Sequence, residues 1–145
     1  MLALTRKTGY ALSAMTYLAE RPPGQVTSAR QIAGVSAAPM SLLMNVMKEL
    51  AAAGYVESIR GAHGGYRLAR SPRDINLADL VTAIEGPLRL AECVSDKAVK
   101  GECTRREMAH CPIADPLHRV QRKLRDFLRK VTLSEITGTS IGSVE

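Results

Sequence analysis

Three cysteines lie in one stretch of the chain that has little apolar periodicity, and no cysteine occurs elsewhere. They are Cys93, Cys103 and Cys111, separated by gaps of nine and seven residues. Thiolates are soft ligands that select zinc, copper or an iron–sulfur cluster. Zinc sites more often use paired Cys-x-x-Cys spacing, so the wide gaps modestly favour a cluster. Three ligands leave one coordination position to another group, and a small signal molecule can act at that position.

Two other kinds of thiol chemistry are open to the same residues. A regulator without a cluster can sense oxidants through reversible cysteine oxidation. An enzyme with a cysteine nucleophile needs a base that a third group orients. The chain has three scattered histidines, no triad spacing and no phosphate-binding loop. We therefore predict that the protein is not an enzyme.

A second chemical feature is the basic, glycine-rich segment Ile59–Leu68. Residues on both sides alternate with period two, which predicts a hairpin, and the glycines permit tight backbone turns. Its tip carries Arg60 and His63 but no acid, a combination suited to a phosphate backbone or a narrow minor groove. A plain surface hairpin is the alternative interpretation.

The elements before this hairpin predict a helix-turn-helix. Thr8 is the expected cap of a first helix, and Ser28 with Gln31 has capping-box spacing at the start of a second. Gly34 and Val35 are expected to form the turn. The next helix has a buried face with i, i+3, i+4, i+7 spacing, formed by Leu43, Val46, Met47 and Leu50. Helix, turn, helix and hairpin is the order of a winged helix-turn-helix, whose second helix enters the major groove of DNA.

Candidate DNA-contacting residues lie outside that buried face. Ser41 and Asn45 are four residues apart and can hydrogen-bond base edges. Met40, Leu42 and Met44 can contact thymine methyl groups, although packing in the core or a dimer is the favoured interpretation. The predicted phosphate contacts are Lys7, Arg30 and Lys48.

The second half of the chain predicts a dimerisation element. Asn76 is the expected cap of a connecting helix, and Asp115–Pro116 the expected start of a long one. The long helix has an apolar seam with 3–4 spacing, formed by Leu117, Val120, Leu124, Phe127 and Val131. Basic residues crowd its other faces, so a membrane-surface helix is an alternative, but the heptad spacing favours a homodimer.

These patterns divide the chain into five parts: a DNA-binding domain at 1–72, a connecting helix at 73–90, a cysteine loop at 91–114, a dimerisation helix at 115–137 and a flexible tail at 138–145. The predicted fold class is mainly α-helical with a small β-hairpin wing, a winged helix-turn-helix plus a long C-terminal dimerisation helix.

Composition agrees with a nucleic-acid partner. The formal charge is +6 and the pI is about 9.5, which favours anionic partners. Aromatic residues make up 3% of the chain, too few for a single-strand stacking platform, so duplex DNA is the expected partner. The chain contains no apolar run long enough to span a membrane and no signal-peptide pattern, so we expect a cytoplasmic protein without a membrane partner.

The chain resembles the IscR/NsrR family of dimeric winged helix-turn-helix transcription regulators from about Leu4 to Ile136. The resemblance is carried by Gly9-Tyr10-Ala11-Leu12, by Arg60-Gly61-Ala62-His63-Gly64-Gly65-Tyr66, by the segment from Ile75 to Gly86, and by the three-cysteine loop before a long helix. It implies that Cys93, Cys103 and Cys111 ligate an iron–sulfur cluster, 2Fe–2S or 4Fe–4S, whose state controls promoter binding in response to iron, oxidant or nitric oxide. It also implies that Ser41, Asn45 and Arg60 read DNA.

The fourth cluster ligand does not follow from the resemblance. Some family members have a histidine three positions after the third cysteine, where this chain has Ala114, and others use an acid at the position of Gly9. The gaps between the cysteines are also wider than the family pattern. His118, one turn into the long helix, is the candidate we assign, and Glu92, Glu102 and Glu107 are the alternatives.

Overall fold

The computed structural model describes residues 4–90 and 112–138. Within them the chain forms mostly helices and one antiparallel hairpin, which confirms the predicted fold class. In chain order the elements are α1 (Arg6–Ala19), α2 (Ala29–Ser36), α3 (Met40–Ala52), β1 (Val56–Ile59), β2 (Gly65–Leu68), a 3-10 turn (Pro72–Asp74), α4 (Leu77–Glu85), α5 (Ala114–Lys130) and α6 (Leu133–Gly138). The three cysteines lie outside the described residues.

Side-chain caps define most of the helix starts. Ser28 and Gln31 form the expected capping box at α2, and the Asn76 side chain accepts from the Asp79 amide at 2.8 Å at α4. The predicted cap of α1 was wrong, because Thr5 is extended and accepts from the Thr8 amide at 3.5 Å. Thr8 is instead buried inside the helix, where its hydroxyl bonds across to α4.

The turn between α2 and α3 lies later than the sequence suggests. Helix α2 continues through Gly34 and Val35 and ends at Ser36. Ala37 then adopts the left-handed conformation, with φ of 51°, and Pro39 precedes the first turn of α3. Glycine costs a helix only about 1 kcal/mol, and here that cost did not end α2.

The core forms where α1, α2, α3 and α4 meet the hairpin. The predicted face of α3 is correct, since Leu43, Val46, Met47 and Leu50 are all fully buried. The rest of this core comes from every neighbouring element, and its largest members are Met15, Ile32, Tyr55, Tyr66, Ile75, Leu80 and Leu133. One core therefore joins the DNA-binding elements to α4 and, through Leu133, to α6.

The hairpin is attached to the chain that precedes α2. Strands β1 and β2 pair from Val56 with Leu68 at the base to Ile59 with Gly65 near the tip. Thr27 and Tyr66 exchange two backbone hydrogen bonds of 2.8 Å, so Thr27 forms a single antiparallel bridge to β2. A Cβ atom at Gly65 would lie 2.1 Å from the Thr27 carbonyl oxygen, so this close approach requires glycine.

The C-terminal helix is shorter than predicted. Helix α5 begins at Ala114, so Asp115 and Pro116 lie in its first turn, and it ends at Lys130 rather than continuing to residue 137. The chain then crosses the start of α4, where the Leu77 amide donates to the Val131 carbonyl and the Leu133 amide donates to the Ile75 carbonyl, both at 2.8 Å. The side chain of Leu133 is buried in the core, which brings α6 back against the DNA-binding domain.

Candidate nucleic-acid interface

The start of α3 presents Ser41 and Asn45 to solvent. Both side chains are exposed, and their four-residue spacing places them on one side of the helix, away from the buried face. Neither side chain has a hydrogen-bond partner in the described parts of the chain. Their donors and acceptors are therefore available to base edges in a major groove.

Two methionines extend this surface. Met40 is 44% exposed and Met44 is 42% exposed, so they do not pack in the core of the chain; packing in a dimer, the other part of the favoured interpretation, stays a prediction. Leu42 is half-buried. The Tyr66 hydroxyl lies 3.9 Å from the Met44 sulfur, which connects the hairpin to α3. Periodicity alone could not show this exposure, because Met40 and Met44 lie at the edge of the buried stripe.

The wing tip presents Arg60 and His63, both exposed. The turn between them is tight: Gly61 has φ of +119°, and a Cβ at Gly64 would lie 2.4 Å from the Ile59 carbonyl oxygen. At the strands behind the tip, Arg67 is paired with Glu57 at 2.7 Å. Arg60 has no such acid within the described ranges, so its charge is available to an anionic partner.

The predicted phosphate contacts differ in their surroundings. Arg30, in the first turn of α2, and Lys48, on α3, are exposed. Lys7 donates instead to Glu49 at 2.6 Å, an ion pair that joins α1 to α3. A phosphate would have to compete with Glu49 for Lys7, so Arg30 and Lys48 are the simpler candidates.

A carboxylate at the end of α4 binds the start of α1, which sequence reasoning missed. Glu85 accepts from the Thr5 amide at 3.0 Å and from the hydroxyl groups of Thr5 and Thr8. Those hydroxyl bonds, that of Thr5 first, hold the pKa of Glu85 below its usual value. Thr5 and Thr8 lie 80 and 77 residues from Glu85 in the chain, so patterns among neighbouring residues could not predict these contacts.

Replacing Glu85 by glutamine is expected to destabilise the protein at neutral pH by about 0.3–1 kcal/mol, the screened value of a carboxylate at a helix N-terminus. Because folding lowers the pKa of Glu85, its contribution is complete above the pKa of an unfolded glutamate. The contribution is lost as pH falls through the folded-state value. Urea unfolding of both proteins from about pH 7 to about pH 3 should therefore show the difference shrinking with acid.

Glu20→Gln is the matched control, because Glu20 is exposed and ends α1 without a side-chain partner in the described residues. Its difference from the unsubstituted protein should not vary with pH in this way. A Glu85→Gln difference that stayed constant down to the acid limit would contradict the role of the carboxylate.

The apolar stripe of α5 is more buried along one edge than along the other. Leu117 and Leu124 are half-buried, whereas Val120 and Phe127 are 52% and 62% exposed. Val131 lies after the end of the helix and is half-buried. The predicted seam is therefore divided, and its exposed half is Val120 and Phe127.

A buried side-chain amide on α5 hydrogen-bonds the backbone at Leu90, just before the segment that contains the three cysteines. Gln121 is 4% exposed, and its side-chain oxygen accepts from the Leu90 amide at 3.0 Å. His118 lies on the same helix and is half-buried. Among residues 4–90 and 112–138, no three histidine, cysteine or carboxylate side chains are grouped so that they could hold a metal. The predicted ligand set falls on Cys93, Cys103 and Cys111, outside those ranges.

None of the helices that the structure describes is long and apolar enough to cross a bilayer.

Comparison with known proteins places these features in a family. A family model named Rrf2 and described as an iron-dependent transcriptional regulator matches residues 4–139. The HTH-type transcriptional regulator NsrR of Bacillus subtilis is 38% identical over 92 residues, which are 63% of this chain and 63% of that protein, so the match spans less than two thirds of the relative.

Solved structures agree with the described fold. CymR, the global cysteine regulator of B. subtilis, is 28% identical with a TM-score of 0.73, over 97% of this chain and 99% of that one. IscR of T. potens is 25% identical with a TM-score of 0.72, over 98% and 93% of the two chains. The relatives are transcriptional regulators and not enzymes, and the resemblance inferred from the motifs is confirmed. The chain belongs to the Rrf2 family.

Proposed function

We propose that the protein is a transcription regulator that binds duplex DNA through α3 and the wing. The observation that carries this proposal is the exposed set of side chains without partners in the described structure. Ser41 and Asn45 stand at the start of α3, and Arg60 and His63 at the wing tip. In a winged helix-turn-helix these two places meet the major groove and the adjacent backbone or minor groove.

The exposed side chains would make two kinds of contact with DNA, one with base edges and one with phosphates. Asn45 can make two hydrogen bonds to an adenine edge, and Ser41 can bond several bases. Arg30 and Lys48 supply positive charge to phosphates and fix the position of the protein without reading sequence. Exposed Met40 and Met44 add apolar surface next to Asn45, suited to thymine methyl groups.

The functional unit in this proposal is a homodimer formed through α5. Val120 and Phe127 are large apolar side chains that the described monomer leaves exposed. A second copy would bury them, with Leu124 at the border of the contact. The wing and α3 of each protomer would then contact one of the two half-sites of an operator.

The three cysteines would hold an iron–sulfur cluster, with His118 as the candidate fourth ligand. The donor set fits such a group, since three thiolates are grouped in one segment and the matching family model is described as iron-dependent. When bound, the cluster would supply an iron centre that reacts with a small signal such as an oxidant or nitric oxide. The described residues contribute the attachment of this segment: Gln121 holds Leu90 where it begins.

A chain of contacts leads from that attachment to α3. Leu90 follows α4 by five residues, and the last residue of α4, Glu85, binds the first turn of α1. Lys7, in that same turn, pairs with Glu49 on α3. A change in the cysteine segment that moved α4 would thus act on α1 and then on the recognition helix.

A cluster-free regulator that senses oxidants by thiol chemistry is the second candidate. It is favoured by the similarity to CymR, the global cysteine regulator of B. subtilis, over nearly the whole chain. Cysteine oxidation would then change DNA binding without iron. Iron and sulfide analysis of the purified protein separates the two candidates.

DNA reading is tested by a matched pair of substitutions on α3. Asn45→Ala is expected to lower discrimination at one base pair by about 1–3 kcal/mol. Lys48→Ala, three residues further along, should weaken all sequences alike and reduce the salt dependence by about one phosphate contact. Binding isotherms on specific and random duplexes at several salt concentrations measure both effects. If Asn45→Ala weakened both duplexes by the same factor, the assignment of Asn45 to base reading would be wrong.

A further inference from the structure

A cavity of about 360 Å³ lies between the end of α1 and the base of the wing. Its walls come from the end of α1, the connection through Pro22 to Gln25, and the chain from Leu68 to Pro72 that leaves β2. This volume falls within the range of small-molecule sites, about 300–1,000 Å³. Leu68 pairs with Val56 at the base of the hairpin, so the cavity is at the opposite end from Arg60 and His63.

The charged groups that line the cavity are all positive. Arg21 and Arg70 belong to its wall, and no aspartate or glutamate does. Each guanidinium stacks on a tyrosine, Arg21 over Tyr17 at 4.5 Å and Arg70 over Tyr55 at 5.0 Å. Stacking covers one face of a guanidinium and leaves its in-plane N–H groups able to donate. Neither arginine forms an ion pair with a residue in the described ranges.

One of these donors is buried without an acceptor. The Nε atom of Arg21 is inaccessible to solvent, and no hydrogen-bond partner for it occurs among the described residues. A buried donor without a partner costs about 1–3 kcal/mol, and more when the group is charged. A bound anion would provide the missing acceptor once a rotation of the Arg21 side chain turned Nε toward the cavity.

We propose that this cavity binds a small organic anion that has a carboxylate or phosphate group and an apolar portion. The anionic group would contact Arg21 and Arg70, and the apolar portion would lie against Leu18 and Leu68. Such a ligand would contact both the α1–α2 connection and the base of the wing, the two parts that the Thr27–Tyr66 pairing joins. None of the residues assigned above to DNA contact lines this cavity.

The test uses the full chain and three probes of similar shape: phenyl phosphate, benzoate and the neutral benzamide. Binding is measured by calorimetry and by the shift of backbone amide resonances. At least one anion is expected to bind with a dissociation constant of about 1 mM or tighter, with benzamide at least roughly tenfold weaker. Phenyl phosphate binding alone would assign a phosphate ligand, and benzoate binding alone a carboxylate ligand.

Substitutions locate the site. Arg21→Met and Arg70→Met keep most of each side chain's length and should each weaken the anion roughly tenfold or more, the loss expected for a charged hydrogen-bond partner. Arg73→Met is the matched control, because Arg73 is exposed nearby but does not line the cavity. Arg70 is itself exposed, so Arg70→Met keeps the test valid if Arg21→Met fails to fold.

Three results would overturn the proposal. The first is no binding of either anion at about 10 mM. The second is equal binding of benzamide. The third is an Arg73→Met protein that loses as much affinity as Arg70→Met, which would show attraction to net positive charge only.

Discussion

Replacing Phe127 by aspartate is expected to convert the proposed dimer to a monomer and to abolish tight operator binding. Phe127 is 62% exposed in the described monomer, so the substitution should leave the fold intact. Burying a phenylalanine contributes about 1.5–3 kcal/mol, and a symmetric interface loses that contribution twice. The dimer constant should therefore weaken by roughly two to four orders of magnitude. Sedimentation velocity at low micromolar concentration measures it.

Arg122→Asp is the control for the effect of added negative charge on the helix. Arg122 is exposed and lies five residues from Phe127, about 140° around α5. This protein should still sediment as a dimer. A Phe127→Asp protein with an unchanged sedimentation coefficient would contradict the assignment of this face to the dimer contact.

For the cluster proposed above, replacing Cys103 by serine is expected to remove the visible absorption and the bound iron and sulfide. A serine hydroxyl is a harder ligand than a thiolate and stays protonated near neutral pH, so a three-thiolate set should not survive its loss. DNA binding should then have one affinity in the presence and absence of oxidant. Absorption spectra and iron analysis after anaerobic purification provide the measurement.

Thr104→Ser, at the neighbouring position, is the control for a small change in the same segment. It should keep the absorption and the response to oxidant. A Cys103→Ser protein that keeps both its iron and its absorption would show that Cys103 is not a ligand.

Structural features that depend on residues close together in the chain were predicted correctly from the sequence. The buried face of α3 was predicted from the spacing of Leu43 to Leu50, and the wing from alternation around glycines, because both depend on residues close in the chain. The capping box at Ser28 and the cap at Asn76 are equally local. The motifs of the wing and of α4 also led to the correct family.

Features formed by distant residues were missed or misplaced. Glu85 binds Thr5, which is 80 residues away in the chain, so the residues next to either position do not predict the contact. The seam of α5 was predicted as one continuous surface, but Leu117 and Leu124 are half-buried while Phe127 stays exposed. Only the packing of other elements decides which part of an apolar stripe is available to a partner.

The position at which α5 ends was also predicted incorrectly, because it depends on residues distant in the chain. The 3–4 spacing continues to Val131, but backbone bonds to α4 end the helix at Lys130. Competition between a further helical turn and two hydrogen bonds across the chain is a tertiary effect. The helix propensities of the residues therefore cannot predict where α5 ends.

We propose that iron bound by three cysteines controls DNA binding by α3 and the wing. The most direct test of this proposal uses one anaerobic sample of the full chain, supplied with iron and sulfide. Iron, sulfide, visible absorption and operator affinity are measured together, before and after exposure to oxygen or nitric oxide. The proposal predicts a coloured protein with iron and sulfide, whose affinity changes by roughly 5–150-fold as the absorption is lost. A colourless, metal-free protein with fully regulated DNA binding would contradict the cluster and favour control by the thiols alone.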